Sequence, residues 1–162
     1  MKGLSIRKAT ASDAERLNQA LEKLSTDLGD KHRASAEDLV RHGFEENPAF
    51  FALIAEKDAS SEVIGALIAS PMFSTSLGGA GLYVSDLWIS KEARGNGLGK
   101  RLLGAAVTEA SINWTVKFLK LTVHNHNAKA RRFYERLGFR NLSDETVLAL
   151  KGEALETLRI HS

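Results

Sequence analysis

Three glycines alternate with other residues in Arg94-Gly95-Asn96-Gly97-Leu98-Gly99-Lys100, shortly after an apolar stretch that ends at Ile89 and directly before an amphipathic one. Glycine reaches backbone angles closed to other residues and lets a ligand approach the main chain. The first-turn N–H groups of a helix have no internal partners, and the helix dipole adds partial positive charge there. A strand, a glycine loop and a helix N-terminus in succession therefore form an anion site suited to a pyrophosphate. The spacing is Gly-x-Gly-x-Gly, whereas a Rossmann dinucleotide loop needs Gly-x-Gly-x-x-Gly and an acid about 20 residues further on. Trp114 to Leu121 supply no acid. Gly99-Lys100 is followed by Arg101, so a Walker A loop fails as well.

The surrounding pattern places this loop in an α/β chain. Residues 4–9 alternate apolar and polar, as a half-buried strand does. Ser12 and Glu15 have capping-box spacing, Leu17, Ala20, Leu21, Leu24 and Leu28 recur at helical intervals, and Gly29 is the expected stop. A polar loop at 30–34 leads to a short helix at 36–42, with Ser35 and Asp38 at its start and Gly43 at its end. Residues 50–55 and 63–68 read as an antiparallel hairpin around a turn at 57–61. A loop at 71–80 follows, then a strand at 82–89. The glycine loop opens a helix at 97–111, and a strand at 118–123 completes a right-handed βαβ unit with its strands parallel. Asn127 is a good N-cap for a helix ending near Gly138; a last strand near Thr146–Leu150 and a short C-terminal helix close the chain.

Composition narrows the class. The 162 residues fit one domain, 1–162, and 43% hydrophobic with 26% charged residues is ordinary for a globular protein. No apolar run reaches the roughly 18 residues that span a bilayer, and the N-terminus lacks a secretory h-region. With no cysteine, thiolate chemistry and Cys-based zinc sites are excluded. These features predict a cytoplasmic location without a membrane partner. The net charge of +2 does not point to nucleic acid. A basic cluster at Lys129, Arg131, Arg132, Arg136 and Arg140 reads either as a solvated helix face or as a contact with a phosphorylated cofactor.

Arg94-x-x-Gly97-x-Gly99 matches the Arg/Gln-x-x-Gly-x-Gly/Ala signature of the GNAT superfamily of acyl-CoA N-acyltransferases. Asn127 followed by Phe133-Tyr134 and Leu137-Gly138-Phe139 resembles that superfamily's second motif, in the right order and at the right separation. Within it the chain is most similar to the diamine (spermidine/spermine) N-acetyltransferase-like group, through Ala36-Glu37-Asp38-Leu39, Gly43-Phe44-Glu45-Glu46-Asn47-Pro48 and Asp86-Leu87-Trp88-Ile89. It departs in having Ser85-Asp86 where that group has two adjacent acids, and in holding Lys31, His32 and Arg33 where a polyamine site favours acids.

The resemblance implies a mixed, mostly antiparallel sheet of about seven strands flanked by about four helices. The fourth strand is expected to bulge and splay from its parallel neighbour, the fifth. It implies an acetyl group passing from acetyl-CoA to a primary amine of a small molecule, a diamine or polyamine or an amino-acid-like amine, by direct attack through a tetrahedral intermediate. No metal is required, and a homodimer is expected. Main-chain groups of Leu87, Trp88 and Ile89 are expected to pair with the pantetheine arm. Arg94, Gly95, Asn96, Gly97, Leu98, Gly99 and Lys100 are expected to hold the pyrophosphate, and Asn127, Ala130 and Phe133 to complete the cofactor contacts. Tyr134 is the expected general acid, since a phenol can protonate a departing thiolate. Asp86 is the expected base or ammonium partner, with His124 and His126 as alternatives on one strand face. Ser85, Asp86, His32 and His124 are the expected substrate contacts. Two other readings stay open: an acyltransferase acting on proteins or peptides, and a CoA-binding regulatory module without catalysis.

Overall fold

The computed structural model describes residues 3–142 and 144–159. They form two compact units, one running to Thr122 and the other beginning at Val123.

The first unit is built on five strands in the order β1-β2-β3-β4-β5: β1 (Leu4–Lys8), β2 (Phe51–Lys57), β3 (Val63–Ser74), β4 (Gly79–Ile89) and β5 (Phe118–Lys120). The first three pairings are antiparallel and β4 pairs with β5 in parallel, across a crossover through α3 (Leu98–Ala110). The α/β class and the parallel pair are as the sequence predicts. Three expectations need correction. Among the described residues there are five strands, not about seven, and Thr146–Leu150 enters no ladder. Its β-branched and apolar composition favours extension, but a strand exists only where a neighbour accepts its hydrogen bonds. The loop expected at 71–80 is instead the far end of a long hairpin, with β3 and β4 paired out to Ser74↔Gly79. Pro71 is tolerated in β3 because it lies beyond Ala69, the last partner of β2, where one side of the strand needs no N–H.

The sheet is covered on both faces. Leu17, Ala20 and Leu21 of α1 (Ala14–Leu28) and Leu39 of α2 (Ala36–Gly43) pack with Ala52, Ile54, Ala66, Ile68 and Trp88. Full burial of a leucine such as Leu17 contributes about 2 kcal/mol. On the other face α3 approaches so closely that a Cβ at Gly65 would lie 3.0 Å from Leu102 Cδ1. Gly29 ends α1 in the left-handed conformation, and Asp38 N–H donates to Ser35 Oγ at 3.1 Å while Asp38 accepts from Ser35 N–H at 2.9 Å, both as expected.

The start of α1 differs from the Ser12/Glu15 expectation. A single 3-10 turn, Ala11–Asp13, precedes the helix, and Asp13 reaches back to accept from Thr10 N–H at 2.9 Å. A long-range demand selects this register. Arg7 Nη1 and Nη2 grip the buried Asp13 carboxylate at 2.7 and 2.9 Å, and Arg7 Nε donates to Glu56 at 2.8 Å. Arg16 also bridges Asp13 and Glu56. The Arg7 guanidinium, against the opposing cost of burial and helped by Thr10 N–H and Arg16, holds the Asp13 carboxyl well below the usual carboxylate range.

Asp13→Asn is expected to cost about 2–3 kcal/mol, the low side for a broken buried pair because both guanidinium groups keep partial contact with water. The folded-state pKa is depressed, so the stabilisation is complete above the ordinary carboxylate value near 4 and is lost as pH falls towards the folded value. Urea melts of both proteins near neutrality and at about pH 3 check the sign: the gap should shrink in acid.

The second unit contains α4 (Ala128–Arg136) and α5 (Glu153–Glu156). Asn127 caps α4, its Oδ1 accepting from Ala130 N–H at 3.1 Å, as the sequence predicts.

Candidate active site

The site begins where β4 loses its second neighbour. Ala69 pairs with Val84 but Ile68 pairs with Asp86, so Ser85 is an extra residue without a partner, a β-bulge. The pairing of β4 with β5 covers only Gly81, Leu82 and Tyr83. Tyr83 Oη lies 3.0 Å from Thr122 Oγ1 at this fork. Beyond it β4 continues to Ile89 with one edge open. Strand alternation decides which groups face that edge. Ser90 N–H donates to Ile64 C=O at 2.9 Å, so Ser90, Trp88 and Asp86 direct their main-chain groups towards β3. Leu87 and Ile89 turn theirs to the open side. Sequence reasoning grouped Leu87, Trp88 and Ile89; the register separates them, and the Trp88 indole is buried in the core.

Asp86 and Trp88 are two residues apart on the strand and so share a sheet face, the one α1 covers. The half-buried Asp86 carboxylate accepts from Ser85 Oγ at 2.7 Å. Lys23 Nζ of α1 sits 5.4 Å from the Trp88 ring centroid. His32 is held against α1 by both ring nitrogens: Nε2 is 2.9 Å from Asn18 Oδ1 and Nδ1 is 3.3 Å from Ser25 Oγ.

After β4, the turn Lys91–Ala93 leads into the glycine loop. Gly95 and Gly97 have φ of 79° and 75°, a region that L side chains enter only with strain. A Cβ added at either would meet no atom beyond the adjoining residues within 4 Å, so these glycines serve the backbone path rather than a close approach of other protein groups. Gly97 is the N-cap of α3, no side chain caps that helix, and its first turn carries no acid. Leu98 and Gly99 are buried, whereas Asn96 and Lys100 are exposed. Arg94 Nε donates to the outward Ile89 C=O at 2.9 Å, and Nη2 pairs with Asp27 at 2.6 Å. Sequence reasoning found Arg94 but not Asp27, which lies 67 residues away and belongs to no motif.

In the second unit, α4 carries Ala130, Phe133 and Tyr134 on one side. The Tyr134 ring packs edge-on against Phe133 and Phe139, with centroids 5.0 and 5.4 Å away. Burial pushes its phenol up to about 12. The group stays protonated near neutrality; it can donate a proton or hydrogen bond there but cannot serve as a base. His124 and His126 stack with centroids 5.4 Å apart. They do not share a strand face, because β5 ends at Lys120 and the chain turns through Asn127 N–H to His124 C=O. Among the described residues, no group of three or more His, Cys, Asp or Glu is placed to hold a metal ion.

The sequence profile of the acetyltransferase (GNAT) family matches residues 17–139, which span the bulged strand, the glycine loop and α4. The chain belongs to the GNAT family. It is therefore an acyl-CoA-dependent N-acetyltransferase. Among relatives, it is 28% identical to thialysine N-epsilon-acetyltransferase of Sus scrofa, with 98% of each chain covered. It is also 28% identical to spermidine/spermine N(1)-acetyltransferase-like protein 1 of Homo sapiens, over 86% of this chain and 21% of that one. An integron cassette protein from V. cholerae superposes with a TM-score of 0.76 at 25% identity, covering 98% of both chains.

The GNAT signature falls on the parts of the first unit already described. Arg94, Gly97 and Gly99 are the loop residues that the signature names. Here the loop has left-handed glycines with open space at their Cβ positions, and helix N–H groups that no side chain caps, which fits a diphosphate. The open edge offers the N–H groups of Leu87 and Ile89 and the Leu87 C=O, the Ile89 C=O being engaged by Arg94, which fits an amide-bearing arm.

Proposed function

We propose that residues 1–162 work as one catalytic domain that transfers an acetyl group from acetyl-CoA to the primary amine of a small, amino-acid-like molecule. The observation that carries this reading is the backbone of 95–100, shaped by two left-handed glycines into a helix start that no side chain caps, with open space at both glycine Cβ positions. Acetyl-CoA supplies an activated thioester carbonyl. The N–H groups of residues 95–100 hold its diphosphate, and Leu87 and Ile89 align its arm. The outward N–H of Leu87 polarises the thioester carbonyl; donors of this kind contribute on the order of 3 kcal/mol. Asp86, beside the bulge, accepts the ammonium proton or holds the ammonium, with Ser85 fixing the carboxylate. Tyr134 protonates the leaving thiolate. Asn127, Ala130 and Phe133 add cofactor contacts, and His32 and His124 border the acceptor.

The acceptor class rests on charge. Lys31 and Arg33, beside His32, would repel a polyamine and would attract a carboxylate. The thialysine-acetylating relative has an acceptor of the matching kind in its name. We also propose a homodimer in the cytoplasm without nucleic-acid or membrane partners. Val147 and Leu148, exposed in the second unit, favour self-association, which sedimentation would read as twice the chain mass.

Thiol release from acetyl-CoA, measured against thialysine, spermidine and an alanyl peptide, tests the acceptor. Turnover is expected with thialysine at a kcat/KM at least about tenfold above the others, the value of one good charge contact. Preference for the peptide would favour a protein-directed enzyme. CoA binding without turnover on any amine would favour a regulatory module.

A further inference from the structure

Asp27 sits in the last turn of α1, a poor place for an acid. The helix dipole puts partial negative charge there, and the same turn holds no basic residue to offset it. Its partner is distant in sequence: Asp27 Oδ2 meets Arg94 Nη2 at 2.6 Å. The pair is partly shielded, with the two side chains 30% and 37% exposed. The same guanidinium donates through Nε to Ile89 C=O at 2.9 Å. One side chain thus ties together the end of α1, the open end of β4 and the first residue of the glycine loop. Two residues after Asp27, at Gly29, the chain leaves α1 for the loop that carries His32, and His32 is fastened back to α1 through Asn18 and Ser25. The loop at 29–35 therefore has its position set by the end of α1, and the end of α1 is held by the cofactor loop.

We infer that Asp27 is a positioning residue that couples the two halves of the reaction: through Arg94 it transmits cofactor binding at 95–100 to the acceptor loop at 29–35. The inference rests on the cofactor reading above. The guanidinium has a planar fork of five donors, and Asp27 and Ile89 engage only Nη2 and Nε. Nη1 is left to face a diphosphate held by the adjacent main chain. Binding there completes the fork without displacing Asp27, so the anion stiffens the link, and the acceptor loop closes down with it. The link is a short chain of hydrogen bonds within the first unit, with both ends biased by one event.

Hydrogen exchange with CoA as the probe tests this. In the wild type, CoA should slow amide exchange at 95–100 and, by about tenfold, at 29–35. In Asp27→Leu, which keeps the side chain's bulk but has no atom to accept from Arg94 Nη2, CoA should still protect 95–100 and bind with affinity within about twofold, while protection at 29–35 disappears. Asp27→Glu should restore it. A simple loss of stability would weaken both segments with and without CoA, which is a different signature. The inference is overturned if CoA protects 95–100 but not 29–35 in the wild type, or if Asp27→Leu keeps the remote protection. Absence of protection at 95–100 in the wild type overturns the cofactor reading and this inference with it.

Discussion

Gly97→Val should abolish measurable CoA binding while the protein stays folded. Gly97 has φ of 75°, and an L side chain there costs about 1–2 kcal/mol, with a β-branched one at the upper end. The strain alone would only lower stability, because no atom beyond the adjoining residues lies within 4 Å of the added Cβ. The larger effect is on the ligand. The new side chain enters the open space beside the loop, which the proposed diphosphate would share. Relaxing the backbone to a negative φ would turn the loop N–H groups away. Either response should weaken binding by about 10³-fold, or about 4 kcal/mol. Calorimetric titration with CoA reads the affinity, and thermal unfolding reads the modest loss of stability. Gly104→Ala is the control: Gly104 lies inside α3, also with open space around it, and alanine there should stabilise the helix by up to about 1 kcal/mol without touching affinity. A Gly97→Val protein that binds CoA within threefold of the wild type, on the order of 0.6 kcal/mol, would remove the basis of the cofactor reading.

Tyr134→Phe should lower kcat by about 10²-fold or more, the contribution expected of a positioned acid, with little change in CoA affinity. The substitution deletes one oxygen and leaves the ring packed between Phe133 and Phe139, so stability should hardly move. The pH profile provides the sharper signature. The acid must be protonated to act, and burial pushes the Tyr134 phenol up to about 12. The wild-type rate should therefore show no alkaline fall near the ordinary tyrosine value of about 10. A fall centred there would mean either that the phenol is not buried during turnover or that another group donates the proton. If Tyr134→Phe leaves kcat unchanged, the role passes to a different donor, and His124→Asn is the next variant to measure.

How well the chain can be read from its sequence depends on how far apart the interacting residues lie. Asn127 and the Ser35/Asp38 pair were legible because an N-cap joins residues three apart. The pairing of β2 with the first half of β3, read as 50–55 against 63–68, was legible because the two strands are close neighbours in the chain. Ser12 and Glu15 misled: they have the right spacing, but Asp13 is claimed by Arg7 and Arg16 and takes the helix start with it. Thr146–Leu150 misled in the opposite way, since a strand-like composition cannot supply the neighbour that a strand requires. Pro71 looked like a loop because the absence of a second neighbour for that part of β3 is invisible in one dimension.

The sequence by itself determined the glycine loop, the α4 motif, the order of helices and strands up to β5, and through them the family. All of these rest on local backbone preference and hydrophobic period, which are written along the chain. Only the tertiary structure decided that the bulge expected in β4 falls at Ser85, that Leu87 and Ile89 rather than Trp88 face the open edge, and that Asp27 holds Arg94. Those facts depend on which groups a neighbouring strand or helix satisfies first, and pairing across dozens of residues leaves no periodic trace in the residues that take part.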